Sequence, residues 1–169
     1  MIVPEMITLF LWELRYNNNM ILLNCKFNSK VKELFKKVDI NLKELERFSN
    51  FILNEYKGTR KVWVYDLDIK LIDCNTSGYY FGSDLIEIGK RTTKRSKSKK
   101  REWYLSSYFH ELCHFAQDNL DKVRESKLDY TEEDASKCTD KYYRNPHEIQ
   151  ARQWEEKYTP AYVKLFYES

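Results

Sequence analysis

The sequence predicts an α+β fold in a single domain spanning 1–169. Three observations carry that expectation. Apolar residues recur at helical spacing in two segments between residues 29 and 58. Strand-type residues dominate residues 61–88. Two further helical segments, at about 103–120 and 146–158, follow them. The length of 169 residues suits one domain, and an apolar fraction of 42% is enough for a core.

Residues 7–14 and 20–27 are apolar, with Asn17, Asn18 and Asn19 between them. The pattern fits a hairpin, or a short helix followed by a strand. Ser29 is an expected N-cap, and Val31, Leu34, Phe35 and Val38 then repeat at helical spacing. Asn41 caps a second expected helix, whose apolar face is Leu42, Leu45, Phe48, Phe51, Ile52 and Leu53. Gly58 is placed to end it. Residues 61–66 and 69–74 are strand candidates, 75–78 reads as a turn, and 79–88 reads as a longer strand. Two or three antiparallel strands are therefore expected, forming a small antiparallel or mixed sheet.

Residues 89–101 carry Lys90, Arg91, Lys94, Arg95, Lys97, Lys99, Lys100 and Arg101 and are expected to form a mobile basic loop. One helix should then cover 103–120. Residues 121–140 are polar and read as irregular. Asn145 and Pro146 form a cap and first-turn pair for a helix to about residue 158, where Pro160 should break it before a short last helix at 161–167.

The charged fraction is 33%, but the signs nearly cancel at +3. Such a balance implies a soluble protein and gives no reason in itself to expect a nucleic-acid partner. Cys25, Cys74, Cys113 and Cys138 are scattered with no C-x-x-C pair. They read as reduced thiols rather than a zinc ribbon, with one disulfide left open. Residues 1–12 are fairly apolar but carry Glu5 and lack a basic start, so neither a signal peptide nor a membrane span is expected. The cytoplasm is the expected location.

The chemistry centres on His110-Glu111-Leu112-Cys113-His114. On a helix, residues four apart share a face, so His110 and His114 can offer two imidazoles to one ion. Glu111 is turned enough to miss the ion and still reach a water beside it. Zinc draws the pKa of such a water towards neutrality, and a carboxylate takes its proton. The chain has only three histidines, and a chance H-E-x-x-H here is on the order of one in 200. The competing explanation, two surface histidines beside an ordinary glutamate, leaves that register unexplained.

Catalytic zinc usually takes three protein ligands. Glu148 is the best third candidate, in the first turn of the helix opened by Asn145 and Pro146. Ala151, three residues on, would let that helix pack closely on the active-site helix. His147 is the rival, because imidazole also suits zinc; side chains of the two neighbours diverge by about 100° on a helix. Asp118 shares the face of His110 and His114, but three ligands from one straight helix strain the geometry, and it reads as a surface residue. Cys113 faces away and reads as a core thiol. Gln117 is placed either to hold an imidazole or to meet solvent. Tyr142 and Tyr143 could steady an oxyanion, but with 13 tyrosines in the chain packing is the simpler expectation.

H-E-L-x-H followed by Y-x-x-N-P-x-E-x-x-A resembles the small zincin-type metallopeptidases of bacterial and phage genomes, in their gluzincin-like branch. The resemblance covers residues 104–154. It implies a zincin-like fold with Zn2+ on His110, His114 and Glu148, Glu111 as general base, and a protein or peptide substrate. It also implies an edge strand along the substrate cleft, here 79–88, to which a peptide adds as an extra strand. Two other functions fit the same motif. One is a catalytically silent zinc-binding module acting on nucleic acid or a protein partner through the basic loop 89–101. The other is a zinc hydrolase of non-peptide bonds. No aromatic residues interleave the basic run, which counts against nucleic acid.

Overall fold

The computed structural model describes residues 21–57, 62–123 and 128–168. The expectations for residues 7–14 and for Gly58 lie outside them. Strand β1 (Ile21–Phe27) leads into helices α1 (Ser29–Lys37) and α2 (Leu42–Tyr56). Strand β2 (Trp63–Ile72), the short β3 (Gly78–Tyr80) and β4 (Leu85–Gly89) follow. Helix α3 (Lys97–Asn119) carries the histidine motif. Two short helices, α4 (Glu132–Ser136) and α5 (Asp140–Tyr143), precede the final helix α6 (Pro146–Tyr167).

The fold is mixed α+β, and the sheet is mixed rather than antiparallel. Its order is β1-β2-β4-β3. β1 and β2 are parallel, as are β2 and β4, and only β3 runs antiparallel. α1 and α2 form the crossover that a parallel β1–β2 pair requires. The two strand candidates at 61–66 and 69–74 are one strand. Asp66 and Asp68 look like an interruption in sequence, but both point to the exposed face and the period of two runs on through Leu67 and Ile69. The segment 79–88 is a hairpin instead of one strand, because Gly82 (φ 78°) and Asp84 (φ 49°) turn the chain between β3 and β4.

Helix starts follow local chemistry. Asn28, one residue before the expected Ser29, caps α1 through the Val31 amide. Asn41 caps α2, accepting from the Lys43 and Glu44 amides. The basic segment is not a loop throughout. Ser96 accepts from the Lys99 amide, and the helix starts at Lys97, six residues earlier than its apolar pattern suggests. α6 continues through Pro160. The ring there is exposed, while Tyr158, Ala161 and Tyr162 beside it are buried, and their packing offsets the lost backbone bond. The 121–140 stretch holds α4, opened by a Thr131–Asp134 capping box, and ends on the first residue of α5.

The core lies between one face of the sheet and the helices. Ile21, Leu23, Leu67, Ile69, Ile86 and Ile88 supply the sheet side; Phe48, Tyr104, Leu105, Tyr108, Phe109 and Leu112 are among the helical side. α3 packs along α6, where Ala151 is fully buried as its size suggested.

The β1 edge is closed by side chains. Glu46, Asn50 and Asn54, one turn apart on α2, accept from the amides of Cys25, Leu23 and Ile21. The match is geometric: one helical turn of four residues rises about 6 Å and two strand residues about 6.6 Å. Asn50 and Asn54 also donate to the Leu23 and Ile21 carbonyls at 3.1 and 2.9 Å. The opposite edge of the sheet is β3.

All four cysteines are free. Among the described residues no helix is long and apolar enough to cross a membrane.

Candidate metal centre

His110 and His114 lie one turn apart on α3, with ring centroids 5.0 Å apart. α6 brings the third group. Asn145 caps it by accepting from the His147 amide at 2.9 Å, and its side-chain amide donates to the Leu128 carbonyl. Pro146 occupies the first turn, where no amide is needed. Glu148 thus stands in that turn, aimed at α3. Its Oε1 lies 3.2 Å from His114 Nε2 and its Oε2 3.3 Å from His110 Nε2. One ligand atom from each of the three residues falls within 4.8 Å of the other two.

The residues fit a metal ion. Glu148 is 1% exposed, and its Oε2 is buried with His110 Nε2, 3.3 Å away, as its polar neighbour. A buried carboxylate needs a cation or a donor beside it, and an ion held with the two imidazoles would supply one. Two imidazoles and one carboxylate form a hard-to-borderline donor set of the kind divalent transition ions take.

Neighbours hold each donor in place. Gln117 donates its amide to the His147 carbonyl at 3.0 Å and to Gln150 Oε1 at 2.8 Å. Its Oε1 therefore faces His114 Nδ1, 2.9 Å away, as an acceptor. That assigns a proton to His114 Nδ1, so Nε2, 3.2 Å from Glu148 Oε1, is the atom this ring would offer a metal ion. The chain continues from Gln150 to the Tyr56 hydroxyl at 3.1 Å and from Tyr56 to the Asp121 carboxylate. On the other side, Glu155 Oε2 lies 3.7 Å from His110 Nδ1 and accepts from Ser106 at 2.9 Å. Tyr130 donates to Glu148 Oε1 at 2.6 Å.

These contacts set the protonation states. Burial alone would lower the His110 pKa, but Glu148 and Glu155 outweigh it and push the imidazole up to about 10. Burial alone would raise the Glu148 carboxyl, and His110, His114 and Tyr130 instead hold it well below the usual carboxylate range. Glu111 is buried at 6% exposure, and burial raises its carboxyl above the ordinary value.

His110, Glu111, His114 and Glu148 are thus adjacent, but His147 is not among the converging groups; only its carbonyl joins the network, through Gln117. Cys113 is fully buried. Asp118 is not a free surface residue. It accepts from the Tyr79 hydroxyl at 2.7 Å and the Gly82 amide at 2.6 Å, pinning the β3–β4 hairpin to α3. That hairpin sets Phe81 against His114, ring centroids 6.0 Å apart. Tyr142 packs edge-on against Tyr130 at 5.2 Å, and Tyr143 is exposed.

Three supporting residues escape the sequence reading. Glu155 had a signal: it follows Glu148 by two helical turns, on the same face. Gln150 and Tyr130 had none, since one is an ordinary polar residue of an amphipathic helix and the other is one tyrosine of 13 in a polar stretch. In comparisons with protein-family models, curated proteins and solved structures, nothing matches this chain.

Proposed function

We propose that this chain is a zinc-dependent metallopeptidase of zincin type, with His110, His114 and Glu148 holding the ion and Glu111 as general base. The observation that carries the reading is the convergence of one donor atom each from His110, His114 and Glu148 within 4.8 Å of one another, with a buried glutamate next to the first histidine.

Zinc, when bound, polarises the scissile carbonyl and acidifies the attacking water. Glu111 accepts the water's proton and delivers it to the leaving amine. Its burial favours both steps, since a carboxyl raised towards neutrality takes and returns a proton more readily. Gln117 and Glu155 fix the ring orientations of His114 and His110. Tyr130 anchors Glu148 Oε1 and leaves Oε2 for the ion.

A small mixed sheet against the motif helix supports the zincin-type reading, and the sheet's edges support a peptide substrate. Side chains of α2 close β1, so among the described residues β3 is the edge left for strand addition. The expected edge strand is shorter than 79–88, because only Gly78–Tyr80 lies at the edge and Leu85–Gly89 is interior. Phe81, one residue after β3, packs against His114, so a peptide added there would lie beside the ligands.

The test is cleavage of casein and a mixed peptide library by zinc-loaded wild type and Glu111→Gln. Loss of a positioned base should lower the rate by about 10²–10⁴. Equal rates, or esterase or amidase activity without peptide cleavage, would refute the peptidase assignment.

A further inference from the structure

The basic run has a property that composition does not show. Residues 90–101 hold eight cations, four hydroxyl side chains and no apolar or acidic residue. Their first part, from Lys90, runs without regular structure to Ser96, and from Lys97 they form the first turns of α3. Some cations elsewhere in the molecule are paired, among them Lys26 with Asp66, Lys37 with Glu33 and Lys57 with Asp121. Among the described residues, Lys94, Arg95, Lys97, Lys99 and Lys100 make no ion pair. Arg91 lies over the Trp103 ring at 4.7 Å, and Arg101 pairs with Asp39 at 3.5 Å.

The cations also stand at the wrong end of their helix. The first turn of α3 has no acidic residue and carries Lys97, Lys99 and Lys100. The N-terminal end of a helix bears positive partial charge, so these lysines repel it and one another. Folding gains nothing from this arrangement, and a polyanion would relieve it.

We infer that residues 90–101 form a ridge that binds the phosphate backbone of nucleic acid, without base specificity. Eight cations within twelve residues give a density of positive charge of the kind a phosphate backbone neutralises. Thr92, Thr93, Ser96 and Ser98 add hydroxyl donors of the kind that reach phosphate oxygens. A membrane surface fits less well, because the ridge has no apolar side chain to enter it. An acidic protein fits less well, because lysines without an aromatic or aliphatic anchor make a poor interface core. Arg95 and Lys99 also border a groove of about 660 Å³, but Glu102, Glu155 and Glu156 line it as well, so the groove itself is not the phosphate site.

The experiment measures binding of fluorescent 20-base-pair DNA and 20-mer RNA by anisotropy between 50 and 200 mM salt. Neutralisation of four phosphates predicts a loss of roughly a hundredfold on duplex across that range. The variant K94S/R95S/K97S/K99S/K100S should bind at least tenfold more weakly at 50 mM salt, with a salt slope flatter by about one for each phosphate no longer neutralised. Neutralising Lys137, Lys141 and Arg144 should leave binding unchanged, and circular dichroism checks that both variants are folded. Four results would overturn the inference: no binding at 50 mM salt, equal binding by the ridge variant, equal affinity for polyglutamate of matched charge, or preference for phosphatidylserine vesicles.

Discussion

Tyr130→Phe removes one hydroxyl and keeps the ring that packs on Tyr142. The hydroxyl donates to Glu148 Oε1 at 2.6 Å, and the carboxylate is 1% exposed. Burial and the Glu148 charge both push the Tyr130 phenol up, so it remains a donor across the accessible pH range. A hydrogen bond to a charged group contributes about 1.5–3 kcal/mol. The metal-binding state depends on Glu148 staying in place, so that loss translates to about 10–100-fold in zinc affinity. The assay is competition against a chromophoric chelator at pH 7.5, with thermal unfolding of the metal-free form alongside. Zinc affinity within twofold of wild type would refute the role given to Tyr130 and the choice of Oε2 as the ligand atom.

Gln117→Leu should weaken zinc binding by about 10–100-fold and destabilise the metal-free fold by about 1–3 kcal/mol, since the His147 carbonyl and Gln150 lose their partner; chelator competition and urea unfolding read the two effects. Asn50→Ala breaks two bonds to Leu23 at the β1 edge and should cost about 1–3 kcal/mol in urea unfolding while zinc affinity is unchanged. The His110 pKa is raised above its ordinary 6.5 to about 10 in the metal-free protein. A raised pKa contributes stability that is fully present below 6.5 and is lost as pH rises through 10, so the metal-free melting temperature should fall over that window. Zinc needs the neutral ring, so binding at pH 8 should release about one proton, measurable by calorimetry in buffers of different ionisation enthalpy.

The histidine motif was legible because its chemistry lies within five consecutive residues on one helix. Glu148 was legible because Asn145 and Pro146 mark a helix start, which places the glutamate in the first turn. The sheet was less so. Asp66 and Asp68 hid the continuity of β2, and the parallel pairing depends on the α1–α2 crossover rather than on any strand's own pattern. Glu46, Asn50 and Asn54 look like a solvated helix face in sequence, and only the strand beside them shows that they close an edge. The basic run hid a helix start because its lysines carry no apolar period; Ser96 was the signal. Pro160 misled because local breaking tendency was outweighed by burial of Tyr158, Ala161 and Tyr162.

On the proposed reading His110, His114 and Glu148, and not His147, hold one zinc ion. Zinc stoichiometry and affinity measured side by side on wild type, His114→Ala, Glu148→Ala and His147→Ala test it most directly. One zinc per chain is expected in wild type and His147→Ala, with loss of tight binding in the other two. Tight binding retained by Glu148→Ala, with loss in His147→Ala, would contradict it.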